Sequence, residues 1–183
     1  MLRYILSRQI DAFERRWRYD ASYMRDLLAA SPWSLVKFLV VSGMVDRRAA
    51  PAAALAGAGI AGTLHEDCGP CTQISVDMAA AGGVEPAVLR AILAGDEAAM
   101  GRDAALGYAF AMAVLAHDLE AGDRRREEIL KAWGPKALAA ISLSVTTARL
   151  YPTLKYALGH GRTCSRVVVA GAETPFVRPA LAA

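Results

Sequence analysis

Cysteine and histidine are scarce in this chain of 183 residues, with three of each. Cys68, Cys71 and Cys164 are an odd number, which argues against a structural disulfide framework. Aromatic residues reach only 7%, and few stretches show the alternation of β-branched and polar residues that marks a half-buried strand. No run of about 18 or more apolar residues lacks a charge or a Gly/Pro break, which excludes an obvious spanning helix. The longest candidate, residues 35–45, contains Lys37 and stops at Asp46-Arg47-Arg48. No secretory signal is visible, because residues 1–7 give way to a charged stretch with no small-residue cleavage site. A soluble, cytoplasmic protein is therefore expected, with no membrane partner. The net charge of +3 is small and dispersed, so no nucleic-acid partner is expected either. Ala56-Gly57-Ala58-Gly59 lacks the strand before it and the pattern after it that a phosphate loop requires.

What is present is apolar and helix-forming. Hydrophobic residues make up 55% of the chain, mostly Ala, Leu and Val, and Ala has the highest helix propensity. The expected fold class is all-α, a single helical domain spanning residues 1–183. Leu2, Ile5, Ile10, Phe13 and Trp17 recur at helical spacing, so residues 2–18 read as an amphipathic N-terminal helix. Asp11 and Glu14 interrupt its basic face and favour solvent over a membrane surface. A second helix covers residues 21–30, and Ser31-Pro32 opens a third with Ser31 as N-cap. Residues 47–62 are Ala/Gly-rich, either a helix with small packing faces or partly a connection. A helix from Pro70 ends at Gly82-Gly83, and Glu85-Pro86 opens the next. Asp96 is expected to cap a long helix reaching about Leu119, with Leu106, Phe110, Val114 and Leu115 inward. A charged helix over residues 123–133 and a last long helix kinked at Pro152 follow, then an irregular tail over residues 166–183 with a β-like run at 167–169. Trp33 and Trp133 read as packing anchors, and Met78, Met100 and Met112 as core filler.

The chemistry concentrates in His65-Glu66-Asp67-Cys68-Gly69-Pro70-Cys71-Thr72-Gln73. Cys-Gly-Pro-Cys suggests a thioredoxin, which would require a buried strand just before the first cysteine. The preceding Ala/Gly-rich stretch is no strand, so that reading fails. Two cysteines three positions apart at a helix start can still close a small disulfide ring, and the unpaired N–H groups of that helix end favour thiolate. His65 and Glu66 are the sequence-local candidates for proton transfer to or from the thiols, with Asp67 weaker because its charge opposes ionisation. Glu66 and Asp67 also suit a purely electrostatic role at a helix N-terminus. A zinc site is the alternative of another class: His65, Cys68 and Cys71 as three ligands and His160 or Cys164 as a fourth.

The dithiol in its small-residue surroundings, the Gly-Gly break and the helical hairpin that follows resemble the superfamily of alkylhydroperoxidase D and carboxymuconolactone decarboxylase. The similarity is specific over about residues 60–120. The resemblance implies an all-helical homo-oligomer in which Cys71 attacks a hydroperoxide or disulfide substrate and Cys68 resolves the product. An external dithiol would be the electron donor and no cofactor would be needed. Two departures stand out. Ser75 occupies the place of the family's relay His, and Ala56 that of its Glu. The expected function is a thiol-disulfide oxidoreductase with peroxidase activity, with Cys71, Cys68, Glu66 and His65 as its catalytic residues. The alternatives are a non-redox decarboxylase-like enzyme or small-molecule binder, and a zinc-stabilised helical interaction protein.

Overall fold

Helix starts and stops follow the punctuation of the sequence, and the computed structural model describes residues 1–161 and 167–177. The expectations for Cys164 and for residues 178–183 lie outside them. α1 (Leu2–Trp17) turns through Arg18, in the left-handed region, into α2 (Ser22–Ala30). α3 (Pro32–Ser42) starts as expected, with Ser31 Oγ accepting from the Ser34 N–H at 3.2 Å. These three helices share one apolar cluster built on Leu6, Ile10, Tyr19, Tyr23, Met24, Leu28 and Leu35. The inward stripe of α1 is Leu6, Ile10, Phe13 and Trp17, so Ile5 is one position off it and exposed. Trp33 is also exposed, because Leu35 occupies the inward position on α3.

The larger cluster is centred on α4 (Ala52–His65) and α7 (Arg102–Leu115), with α8 (Leu119–Ala157) packed across both. The Ala/Gly-rich segment is therefore a helix from Ala52 onward, and its composition has a direct packing cause. A Cβ at Gly57 would overlap the Ala104 carbonyl oxygen, and one at Gly107 would overlap that of Ala54. Only glycine at these two positions lets the backbones of α4 and α7 approach so closely.

α5 (Gly69–Ala81) and α6 (Pro86–Ala94) flank this core. The helix expected from Asp96 begins instead at Arg102. Asp96 caps only a local turn, its carboxylate accepting from the Ala99 N–H at 3.2 Å, and Gly101 at φ 72 breaks the path. α7 ends at Leu115, and Val114 in its last turn is exposed. Asp118 then caps α8 by accepting from the Ala121 N–H at 2.9 Å. The charged helix and the last long helix run on as α8, separated by a non-helical Gly134 at φ 80. Arg124, Arg125 and Arg126 pair with Glu120, Glu128 and Asp123 on its solvated face.

Part of the tail expected to be irregular is ordered. β1 (Val167–Val169) and β2 (Ala172–Thr174) form an antiparallel hairpin, and Val167 and Val169 are buried in the larger cluster. The Gln73 side-chain amide docks it to α5, donating to the Val168 carbonyl at 3.0 Å and accepting from the Val168 N–H at 2.7 Å. The described residues thus contain eight helices and one hairpin, an all-α class in which no helix is long and apolar enough to cross a membrane.

Candidate functional site: a buried dithiol beside a lysine and a tyrosine

The site forms where α4 stops and α5 starts. α4 ends at His65, Glu66 follows as its C-cap, and Asp67 adopts φ 49, a left-handed turn that Asp tolerates better than most residues. That turn reverses the chain so that Cys68 is the N-cap of α5 and Pro70 sits in its first turn, where a missing N–H costs nothing. Thr72 closes the turn, donating from both its N–H and its hydroxyl to the Cys68 carbonyl at 2.9 and 3.1 Å. The Tyr156 hydroxyl donates to the Asp67 carbonyl at 3.0 Å and ties the same turn to α8.

Both sulfurs are reduced and buried, with each residue 1% exposed. They form an asymmetric pair. A hydrogen bond from the Cys71 thiol, helped by the Cys71 backbone N–H and the Lys155 charge, outweighs burial and Asp67, and lowers Cys68 to about 7. Cys71 moves the other way, raised first by the proton it shares with Cys68 and then by burial. Of the two thiols, Cys68 is therefore the one that ionises first.

Cys71 also opens on a cavity of about 390 Å³. Phe13, Leu55, Ile60, Ile74, Met78 and Tyr151 give it apolar walls, and exposed Arg47 lies at its edge. This volume falls within the range of small-molecule pockets. Ser75 and Ala56 both line the cavity together with Cys71. Cys68 is not among its lining residues, so the cavity reaches only one sulfur of the pair.

Two groups that the sequence reading did not single out complete the site. Lys155 is only 3% exposed, and its Nζ donates to the Tyr19 hydroxyl at 3.4 Å. It also lies 4.8 Å from the centre of the Tyr19 ring and 5.4 Å from that of Tyr23, within cation–π range. The Tyr19 oxygen is 3.8 Å from Cys71 Sγ, and Tyr19 lines the cavity. Burial is the main force raising the pKa of both Tyr19 and Tyr23, so both stay neutral phenols. Lys155 extends an inward stripe on α8 that runs through Ala137, Ile141, Ser144, Ala148 and Tyr151 at three- and four-residue steps. A lysine at the next position of that stripe was the available signal. Tyr19 lies in the turn between α1 and α2 and carried no periodic signal.

His65 and Glu66 stand on the other side of the turn. Glu66 Oε1 is paired with Arg149, and His65 Nδ1 lies 3.6 Å from the same oxygen. Neither lines the cavity that reaches Cys71. His160, considered as a metal ligand, pairs with Asp26 at 2.6 Å. Among the described residues no group of three or more His, Cys, Asp and Glu side chains could hold a metal ion. Compared with protein-family models, with curated proteins and with solved structures, the chain finds no match.

Proposed function

We propose that the protein is a thiol-disulfide oxidoreductase that reduces hydroperoxides through Cys71 and Cys68. The observation that carries this reading is a reduced dithiol at a helix N-terminus, one sulfur of which faces an apolar cavity while the other is poised to ionise near neutrality. Helix-start Cys-x-x-Cys pairs combine thiolate stabilisation with a short path to a disulfide. The resemblance to the alkylhydroperoxidase D superfamily departs from the family at Ser75 and Ala56. These residues, which stand in place of the family's relay His and Glu, both line the cavity beside Cys71.

In the cycle, the Cys71 proton passes to Cys68, and the Cys71 thiolate attacks the terminal oxygen of the hydroperoxide. The S–O bond forms as the O–O bond breaks. The alkoxide leaves with the electron pair, takes up a proton and departs as the alcohol, and Cys71 becomes a sulfenic acid. The Cys68 thiol then attacks the sulfenic sulfur, which releases water and closes the disulfide. An external dithiol restores both thiols by exchange and leaves as its own disulfide. A homo-oligomeric state belongs to the same proposal. Mixing the reduced protein with an organic hydroperoxide should remove two thiols together, and Cys71→Ser should abolish the loss. A wild-type protein that keeps both thiols would overturn the assignment.

A further inference from the structure

We infer that Tyr19 is the proton donor to the departing alkoxide, and that Lys155 is the positioning cation that holds Tyr19 and stabilises thiolate in the pair. This inference rests on the redox reading of Cys68 and Cys71. Its foundation is a continuous contact chain through the protein interior. Lys155 Nζ donates to Tyr19 Oη at 3.4 Å, and Tyr19 Oη stands 3.8 Å from Cys71 Sγ. Cys71 is in turn coupled electrostatically to Cys68. The chain joins three separate parts of the fold: the last turn of α8, the turn between α1 and α2, and the start of α5.

A buried lysine needs a reason, because taking an ammonium out of water is costly unless it meets charge or π density. Here the two tyrosine rings and the dithiol monoanion supply both. The other ionisable groups around the thiols are few. Asp67 opposes ionisation of Cys68 from the preceding turn, while Tyr23 on α2 and Tyr151 and Tyr156 on α8 are phenols. Glu66 is paired with Arg149, and His65 Nδ1 lies 3.6 Å from the same Glu66 oxygen. Among the described residues, Lys155 is thus a cation that favours thiolate at both sulfurs.

The proton balance then closes. Cys71 thiolate takes the terminal oxygen, and the alkoxide removes the Tyr19 phenolic proton. The Lys155 ammonium holds the resulting phenolate, which regains its proton from solvent through the cavity that Tyr19 lines. Because Tyr19 lines the cavity beside Cys71, it can touch the substrate, whereas Lys155 acts through it.

The test measures two quantities on the full-length reduced chain: thiolate ultraviolet absorbance against pH, and the rate of disulfide formation with tert-butyl hydroperoxide. Tyr19→Phe should slow disulfide formation by about 100-fold, the lower end of general-acid contributions, with little movement of the thiolate midpoint. Lys155→Met should raise the midpoint by about 1 unit, as expected on losing a nearby opposite charge. Lys155→Gln keeps a donor to Tyr19 without the charge, gives the same rise, and serves if the Met variant does not fold. Wild-type rates in Tyr19→Phe, or wild-type midpoints in both Lys155 variants, would overturn the inference. A wild-type protein that forms no disulfide with the hydroperoxide would overturn both the redox reading and the donor role of Tyr19. A midpoint shift in the Lys155 variants would then leave only the electrostatic role of Lys155 standing.

Discussion

Removing the Cys71 sulfur tests the asymmetry of the pair. In the reduced protein Cys68 is lowered from 9.0 to about 7, and the largest cause is the proton donated by Cys71. Cys71→Ala deletes that donor but leaves the Cys71 backbone N–H, the Lys155 charge and the burial of Cys68 in place. The Cys68 midpoint should therefore rise by roughly 1–2 units, equivalent to roughly 1.4–2.7 kcal/mol. At pH 7 the thiolate fraction should fall from about one half to roughly one in ten or less. Thiolate absorbance against pH reads this directly, with Cys164→Ala in both proteins so that the third thiol contributes nothing. Stability supplies a second readout with a definite sign. A folded Cys68 that ionises more easily than the unfolded chain adds stability as pH rises from about 7 to 9. Above about 9 the raised Cys71 works against the fold, because only the unfolded chain ionises there. The unfolding free energy of the reduced wild type should thus rise between pH 7 and 9 relative to Cys71→Ala. A variant whose Cys68 still titrates near 7 would refute the shared-proton account.

Gly107→Ala should destabilise the fold by about 2 kcal/mol or more, because its Cβ meets backbone rather than a mobile side chain at the α4–α7 crossing. For a chain of this size that lowers the thermal midpoint by roughly 4–8 °C, and an unchanged midpoint in a thermal melt would refute the close-packing argument. His65→Asn and Glu66→Gln should each change the rate of hydroperoxide-driven disulfide formation by less than about threefold, since both side chains lie off the cavity. Stopped-flow rates that fall as far as those of Tyr19→Phe would return the proton chemistry to that pair.

Local signals explain most of what could be read in advance. Ser31-Pro32, Glu85-Pro86 and Gly82-Gly83 act within a turn of where they stand, and the helix boundaries they imply are observed. The helix start at Cys68 follows equally from Pro70 and its neighbours. Asp96 misled because an Asx-type cap serves a single turn as well as a long helix, and Gly101 alone decided where α7 began. Residues 47–62 left a helix and a connection both open, and Gly57, with Gly107 opposite it, proved to be a contact point between distant segments. The groups packed beside Cys71 were the least legible in the sequence. His65 and Glu66 adjoin the cysteines in sequence, yet Tyr19 and Lys155, which lie 52 residues before Cys71 and 136 residues after Tyr19, meet the pair in space. Contacts of that range are set by tertiary packing, and only the inward stripe of α8 hinted at one of them.

Redox pairing of Cys68 with Cys71 is read from the intact mass of the protein after titration with peroxide. Reduced protein treated with one equivalent of tert-butyl hydroperoxide and then alkylated should lose two alkylation sites together, with the bond mapped between Cys68 and Cys71. An external dithiol should restore both. Unchanged alkylation, or oxidation stopping at a single cysteine with no bond between the pair, would contradict the account.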